Sequence, residues 1–160
     1  MPPETRPPPP DFADFVDEWN ALQGQTTPAL HRRMAQWLAG NARAPGARLV
    51  LLAFRASGKS TLVGLFCAWL LARDPDLRVL VLAAEEALAK KMVRNVKRVI
   101  ERHPATAGLK PARAEMWAAE QFVVERRAEL RDPSMLARGL GGNITGSRAE
   151  IVICDDVEVP

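Results

Sequence analysis

The spacing of hydrophobic residues along the 160-residue chain predicts helices that alternate with strands. Apolar positions three and four residues apart predict four helices, over residues 11–23, 28–40, 59–73 and 85–102. Short and almost wholly apolar runs predict strands buried on both faces, over residues 48–54, 78–84 and 149–157. Strands of this kind joined by helices are typical of parallel crossovers, so the pattern predicts an α/β protein with a mainly parallel sheet.

The remaining segments give weaker signals. Residues 121–127 and 134–139 read as short strands that form a hairpin or an edge pair. Residues 1–10 hold six of the thirteen prolines, which predicts an extended, disordered leader with no packed role. Residues 11–160 are then expected to form one domain, which is long enough to bury a core.

Composition narrows the class of protein without naming a function. Apolar residues make up 48% of the chain and charged residues 26%, the balance of a globular protein. The net charge of +3 is compatible with a polyanionic partner but does not require one. Cys67 and Cys154 lie in apolar runs, which predicts two buried thiols in a reducing compartment. No apolar run approaches the ~20 residues that span a bilayer, and no signal peptide is recognisable, so a cytoplasmic protein without a membrane partner is expected.

The stretch "AFRASGKSTL", residues 53–62, has the features of a loop that binds phosphate. It lies between a predicted buried strand and an amphipathic helix, and a lysine and two hydroxyl residues follow its glycine. Such loops usually begin with glycine, and Ala53 in that place resists a left-handed backbone by about 1–2 kcal/mol. The contacts predicted for a nucleotide involve Ala56, Ser57, Gly58, Lys59, Ser60 and Thr61.

A second acidic element strengthens this interpretation. The predicted strand "IVICDD" ends in Asp155 and Asp156. A magnesium–phosphate centre needs a carboxylate at the end of a buried strand, so Asp155 and Ser60 are the predicted metal ligands. Asp156 is the candidate for polarising the attacking water. The alternative is a strand that merely ends in polar turn residues.

With these residues identified, the chain resembles the N-terminal ATPase domain of phage terminase large subunits, the motors that package DNA. The loop "RASGKS" is similar to the family's deviant pattern, in which an arginine, here Arg55, stands four residues before the lysine. The segment "TPALHRRMAQWL" resembles the upstream adenine-side element, with His31 where a glutamine often stands. The stretch "GGNITGSRAEIVICDD" is similar to the glycine-rich lead into the family's acidic strand.

The resemblance implies a P-loop NTPase fold with three αβα layers, incomplete at the C-terminus, and the binding of ATP and Mg²⁺. It implies catalytic roles for Lys59, Asp156 and Arg55, and a second arginine supplied by a neighbouring subunit, for which Arg138 and Arg148 are candidates. The implied partners are double-stranded DNA, other copies of the subunit in a ring, and a portal or small terminase subunit.

The chain departs from the family pattern in two ways. Asp156 stands where the family has a catalytic glutamate, so water activation is expected to weaken or to pass to Glu158. The sequence stops at Pro160, without the coupling segment, later strands and nuclease domain of terminases. Strand 48–54 would lack a neighbour unless it pairs directly with the acidic strand, and we expect poor stability of the isolated chain.

Two other functions fit the same residues. One is a P-loop ATPase of another kind, helicase-like or kinase-like. The other is a truncated product that binds nucleotide without turnover. The helix over 85–102 carries six cations, which suits either a DNA-tracking face or an ordinary solvated surface: Lys90, Lys91, Arg94, Lys97, Arg98 and Arg102.

Overall fold

The computed structural model describes residues 6–158, which form an α/β structure. The α-helices of this part of the chain are α1 (Phe12–Leu22), α2 (Ala29–Asn41), α3 (Lys59–Arg73) and α4 (Glu86–Arg102). Its strands are β1 (Val79–Ala83), β2 (Gln121–Phe122), β3 (Met135–Gly139) and β4 (Ile151–Cys154). The four predicted helices and the strands at 78–84 and 149–157 are confirmed to within a few residues.

The four strands form one sheet in the order β2-β3-β1-β4. Strand β1 is parallel to both neighbours, with Val81 opposite Ala137 of β3 and Ile153 of β4. The short strand β2 is antiparallel to β3. The predicted pairing of the two late strands is therefore confirmed, but β3 lies inside the sheet and not at its edge.

The helices pack as a connected group against the sheet. Helix α4 packs on β1 and β3, α3 packs on α4, and α1 and α2 pack on α3. A Cβ atom on Gly139, at the end of β3, would lie 2.8 Å from the amide nitrogen of Glu86. The absence of a side chain there allows the first turn of α4 to approach the sheet closely.

Local signals in the sequence explain where α1 begins and how it is held. The Asp11 carboxylate caps the helix by accepting a hydrogen bond from the Asp14 amide at 2.9 Å. Buried His103, just after α4, stacks on Phe15 of α1 with ring centroids 3.7 Å apart. Its Nε2 donates to the Phe15 carbonyl at 2.9 Å, and its Nδ1 accepts from the Ala105 amide at 3.0 Å. These contacts fix a neutral imidazole, and burial lowers the pKa of His103.

The predicted strand over 48–54 is wrong for this structure. The segment has no strand assignment, and Val50, Leu52 and Phe54 are 74%, 88% and 68% exposed. Leu51 and Ala53, at the alternate positions, pack against the core. The segment therefore has the alternating burial of an extended chain, but it forms no backbone ladder with another strand of residues 6–158.

The outer edge of β4 faces this unpaired segment without bonding to it. The amides of Ile151 and Asp155 donate towards β1, to the carbonyls of Arg78 at 3.3 Å and Leu82 at 3.0 Å. Alternation in a strand then directs the backbone groups of Val152 and Cys154 to the open side. Within the described residues they have no backbone partner. Direct pairing of the two segments, one of the two alternatives for strand 48–54, is thus not observed.

A third layer is also not seen in residues 6–158. Leu80, Leu82 and Val152 lie on the sheet face opposite the packed positions of β1 and β4. Val152 is 53% exposed, so no helix of the described chain covers this face at β4. The coarser prediction, an α/β protein with a mainly parallel sheet, is confirmed.

Two smaller expectations also change. Residues 1–5 of the predicted leader lie outside the described residues, but residues 6–10 make contacts. Arg6 donates to the Ala107 carbonyl at 2.9 Å, and the Pro10 carbonyl accepts from Trp69 at 2.8 Å. The prediction that the leader has no packed role is therefore wrong for residues 6–10.

The two cysteines differ in burial. Cys67 is buried as predicted, but Cys154 is exposed because it lies on the uncovered strand β4.

Among the described residues, no helix combines the length and the apolar character needed to cross a bilayer.

Candidate functional site

The loop that precedes α3 is held by local turns. The Ser57 amide donates to the Phe54 carbonyl at 3.1 Å, and Leu62 donates to Gly58 at 3.0 Å to begin the helix. Two loop residues have left-handed backbones: Ala56, with φ of 63°, and Gly58, with φ of 80°. Ala53 is not among the residues with positive φ. The conformational cost expected at Ala53 therefore falls on Ala56, where alanine is the strained residue.

His31 of α2 fixes this loop from one side. Its Nε2 donates to the Ser57 carbonyl at 2.6 Å. A Cβ atom on Gly58 would lie 2.8 Å from Cε1 of the same ring, so a side chain at position 58 would displace the imidazole. His31 was predicted to lie on the adenine side of a nucleotide, and in the structure its Nε2 contacts the loop backbone itself.

The start of α3 has the donors that an anion requires. No side chain caps this helix in the described structure, and its first amides have no acceptors within the helix. The buried hydroxyl of Ser57 likewise has no hydrogen-bond partner among residues 6–158. An unpaired buried hydroxyl costs about 1–3 kcal/mol, which a bound acceptor would offset. The loop is thus suited to bind phosphate oxygens.

The acidic end of β4 meets the start of α3. The Ser60 hydroxyl donates to Oδ1 of Asp155 at 3.2 Å, although the two residues are 95 positions apart. Asp155 is half-buried, and Asp156, which follows it, is exposed. Asp156 has a left-handed backbone with φ of 49°, and its carbonyl accepts from the Ala84 amide at 2.9 Å. The chain therefore turns sharply just after the strand.

Burial is the main influence on the Asp155 carboxyl and raises its pKa. The hydrogen bond from Ser60 and the positive charge of Lys59 act in the opposite direction, whereas the negative charge of Asp156 adds to the increase. A cation that binds close to this carboxyl group would stabilise its ionised form and lower its pKa.

A cavity of about 390 Å³ joins these groups. Lys59, Asp155 and Asp156 line it together with Trp37 of α2. Serine hydroxyl and carboxylate oxygens are ligands that Mg²⁺ accepts, so Ser60 and Asp155 could hold this ion. The structure thus brings Lys59, Ser60, Asp155 and Asp156 to one place. Trp37 is 37% exposed.

A second cavity, of about 760 Å³, lies on the other side of the loop. Gly58, Thr61 and His31 line one part of it, and Asn95 and Arg98 of α4 line another. Asn95 was not among the residues predicted for the site. Helical spacing could have identified Asn95, because position 95 lies three residues before Arg98 and so projects from the same side of the helix.

The remaining candidates lie outside this contact network. Arg55 is exposed, and Arg148 is exposed in the glycine-rich segment. Arg138 is half-buried and donates to the carbonyl of Ala137 at 2.9 Å. Glu158, the alternative water-activating acid, is exposed near the end of the described chain. None of these four residues shares an observed hydrogen bond with Ser60 or Asp155 in residues 6–158.

Comparisons with known proteins agree with the resemblance. No family model matches the chain. The chain is 34% identical over 151 residues to the terminase large subunit of Enterobacteria phage T3. This match includes 94% of the chain and 25% of the phage protein. The chain therefore belongs to the terminase large subunit family, and it spans about a quarter of the length of the relative that it matches.

Proposed function

We propose that the chain binds ATP with Mg²⁺ and hydrolyses it to drive phage DNA packaging. The observation that carries this proposal is the hydrogen bond of 3.2 Å between Ser60 and Asp155. It joins the end of a phosphate loop to the end of a strand, at a cavity that Lys59 also lines. The similarity to a terminase large subunit gives this chemistry its biological role.

The donor set fits a magnesium-bound triphosphate. The uncapped start of α3 and the unpaired Ser57 hydroxyl offer donors to phosphate oxygens. Ser60 and Asp155 offer the hard oxygen ligands that Mg²⁺ prefers. When bound, the ion would neutralise charge on the phosphate groups.

The chain's own residues would orient the substrate and stabilise charge. Lys59 binds the β- and γ-phosphates, and Thr61 binds the α-phosphate. Asp156 accepts a proton from the attacking water, with Glu158 as the alternative acid. Arg55 stabilises charge on the γ-phosphate from within the subunit, and Arg138 or Arg148 serves a neighbouring subunit in a ring.

The proposal extends to the fold and the partners. We assign the domain to the P-loop NTPases, with a third layer supplied outside residues 6–158. The motor would act on double-stranded DNA with a portal or small terminase subunit, in the cytoplasm of the host cell. His31 would contribute to the nucleotide site by holding the loop through Ser57.

The test compares Mg-ATP binding and hydrolysis by the wild-type chain, Lys59→Ala and a matched control, Lys110→Ala. Lys110 pairs with Glu101 at 3.0 Å and does not line either cavity. We expect Lys59→Ala to weaken Mg-ATP binding at least about tenfold, because hydrogen bonds to charged groups contribute about 1.5–3 kcal/mol. Tryptophan fluorescence offers a readout, since Trp37 lines the same cavity as Lys59.

The outcomes separate the competing functions. Hydrolysis that is stimulated by duplex DNA and lost in Lys59→Ala supports the packaging ATPase. Tight binding without turnover supports a nucleotide-binding protein that is not an enzyme. If the wild type and both variants bind Mg-ATP equally, the site has been assigned incorrectly.

A further inference from the structure

Helix α4 carries its positive charges on two flanks that differ in their surroundings. On one flank, Lys90 pairs with Glu86 at 2.9 Å and with Glu120 at 3.4 Å. On the same flank, Lys97 donates to the carbonyls of Trp117 and Ala118 at 3.0 Å. These cations hold the segment before β2 against the helix, so their charges already have structural partners.

The other flank carries four cations that we call the basic stripe. At 100° per residue, its members fall within an arc of about 80° on the helix surface. None of them has a carboxylate partner within residues 6–158, and all are exposed: Lys91, Arg94, Arg98 and Arg102. An ordinary solvated helix mixes both signs of charge along a face, whereas no acidic residue falls within this arc.

We infer that the basic stripe binds the phosphate backbone of duplex DNA. This inference rests on the proposed packaging role. The stripe extends about 16 Å along the helix axis, given a rise of 1.5 Å per residue, so it spans about five phosphates of one strand. Arg94, Arg98 and Arg102 are one turn apart, which presents a regular row of cations to a regular row of anions.

The composition of the stripe favours a duplex over single-stranded DNA. Proteins that bind single strands add aromatic side chains on which bases stack, and the arc of the stripe contains none. Phosphate contacts alone give affinity without reading sequence, as a motor that moves along DNA requires. Packing of the opposite side of α4 on β1 and β3 keeps the row straight.

The stripe also reaches the proposed nucleotide site. Arg98 and Asn95 line the cavity that Gly58 and Thr61 share. DNA bound along α4 would therefore lie beside the helix start and loop that bind phosphate. Because Arg98 lines this cavity, the test leaves it unchanged and alters the other three cations.

The experiment measures binding of a fluorescent 30-base-pair duplex to the whole chain by anisotropy, over a series of salt concentrations. The stripe variant is Lys91→Gln, Arg94→Gln and Arg102→Gln together. The control is Arg43→Gln, Arg127→Gln and Arg131→Gln, which removes the same charge from exposed positions elsewhere. Circular dichroism checks that both variants keep their helix content.

We expect the stripe variant to bind at least about tenfold more weakly at low salt. Its plot of log affinity against log salt should be less steep by about 2.7, because each lost phosphate contact removes about 0.9. The control should stay within about twofold of the wild type. A single strand of equal length should bind the wild type more weakly than the duplex.

Several results would overturn the inference: equal losses in both variants, tighter binding of the single strand, or no duplex binding by the wild type. Mg-ATP binding by the same proteins separates this failure from failure of the proposed function. A chain that binds Mg-ATP but no duplex refutes the stripe and leaves the nucleotide site intact. Duplex binding through the stripe without Mg-ATP binding refutes the nucleotide site alone.

Discussion

Two apolar runs lead into the candidate site, and they reach different structural states. Residues 48–54 precede the candidate phosphate-binding loop, and β4 precedes Asp155. Strand β4 forms a parallel ladder with β1, whereas Leu52 in the first run is 88% exposed. Both runs are almost wholly apolar, but β4 is richer in β-branched residues than the first run, which has three leucines and a single valine. A strand forms where backbone groups come within hydrogen-bond reach of a neighbour, and the first run makes no such bonds to the open edge of β4 that faces it.

The contrast extends to the two halves of the site. Lys59 and Ser60 begin α3, a helix whose residues are largely buried in the core. Asp155 follows a strand that is bonded on one side only. The Ser60–Asp155 hydrogen bond therefore connects a firmly packed element with the edge of a sheet.

The cysteines of the chain give the largest expected effect. Cys154 lies exposed on the open strand β4, and Cys67 is buried in α3, where burial raises the pKa of its thiol to about 12. We expect a thiol reagent to modify Cys154 at least about 10³-fold faster, because Cys67 reacts only when the protein opens. Mass spectrometry of each cysteine peptide over time measures both rates in one sample. Comparable rates would mean that the core around α3 is not formed.

A pair of proline substitutions tests the two runs directly. In Ile153→Pro the ladder bond towards β1 is lost, and we expect the free energy of unfolding to fall by about 2–3 kcal/mol. Leu52→Pro should change it by less than about 1 kcal/mol, since this segment forms no ladder. Urea denaturation followed by circular dichroism measures both. If Leu52→Pro proves as harmful as Ile153→Pro, residues 48–54 do form a strand in solution.

The smallest expected effect concerns the carboxylate at the end of the paired run. Because burial raises the pKa of Asp155, its ionised form lowers the stability of the folded chain near neutral pH. That cost disappears as the pH falls through the raised pKa. Asp155→Asn should therefore stabilise the chain at pH 7 by less than about 1 kcal/mol, since partial solvent access screens the charge.

Thermal melts of this variant from pH 7 down to about pH 3.5, a range that passes the ordinary aspartate pKa of 3.8, check the sign. Its advantage over the wild type should shrink as the pH falls through the raised pKa. A loss of stability in Asp155→Asn at pH 7 would contradict the raised pKa. The same variant should bind Mg-ATP more weakly, because it lacks the proposed metal ligand.

Much of the fold was predictable because its signals are local. Helical periodicity and the Asp11 cap determine the helices, and parallel strands bring their carboxyl ends to one edge of a sheet, which brings Asp155 close to Ser60. Three features depend on contacts that periodicity does not encode. These are the unpaired state of residues 48–54, the interior position of β3 and the exposure of Cys154.

The sequence predicted which residues meet at the candidate site, but not the backbone that holds them. The sequence identifies the lysine, the hydroxyls and the carboxylates by type and spacing. It did not predict that Ala56, and not Ala53, would adopt the left-handed conformation. Nor did it predict that His31 would bond to the Ser57 carbonyl, since residues 31 and 57 belong to separate elements.

Gly139 lies where the end of β3 meets the start of α4, and the backbone there leaves no room for a side chain. Even a methyl group at this position would press on the Glu86 amide, 2.8 Å away, and force the start of α4 outwards. Such a displacement would tilt the row of cations that begins at Lys91. It would also disturb the glycine-rich segment that leads from β3 towards the aspartates. One absent side chain thus sets how closely the start of α4 approaches the end of β3, and we expect larger residues at this position to displace the helix.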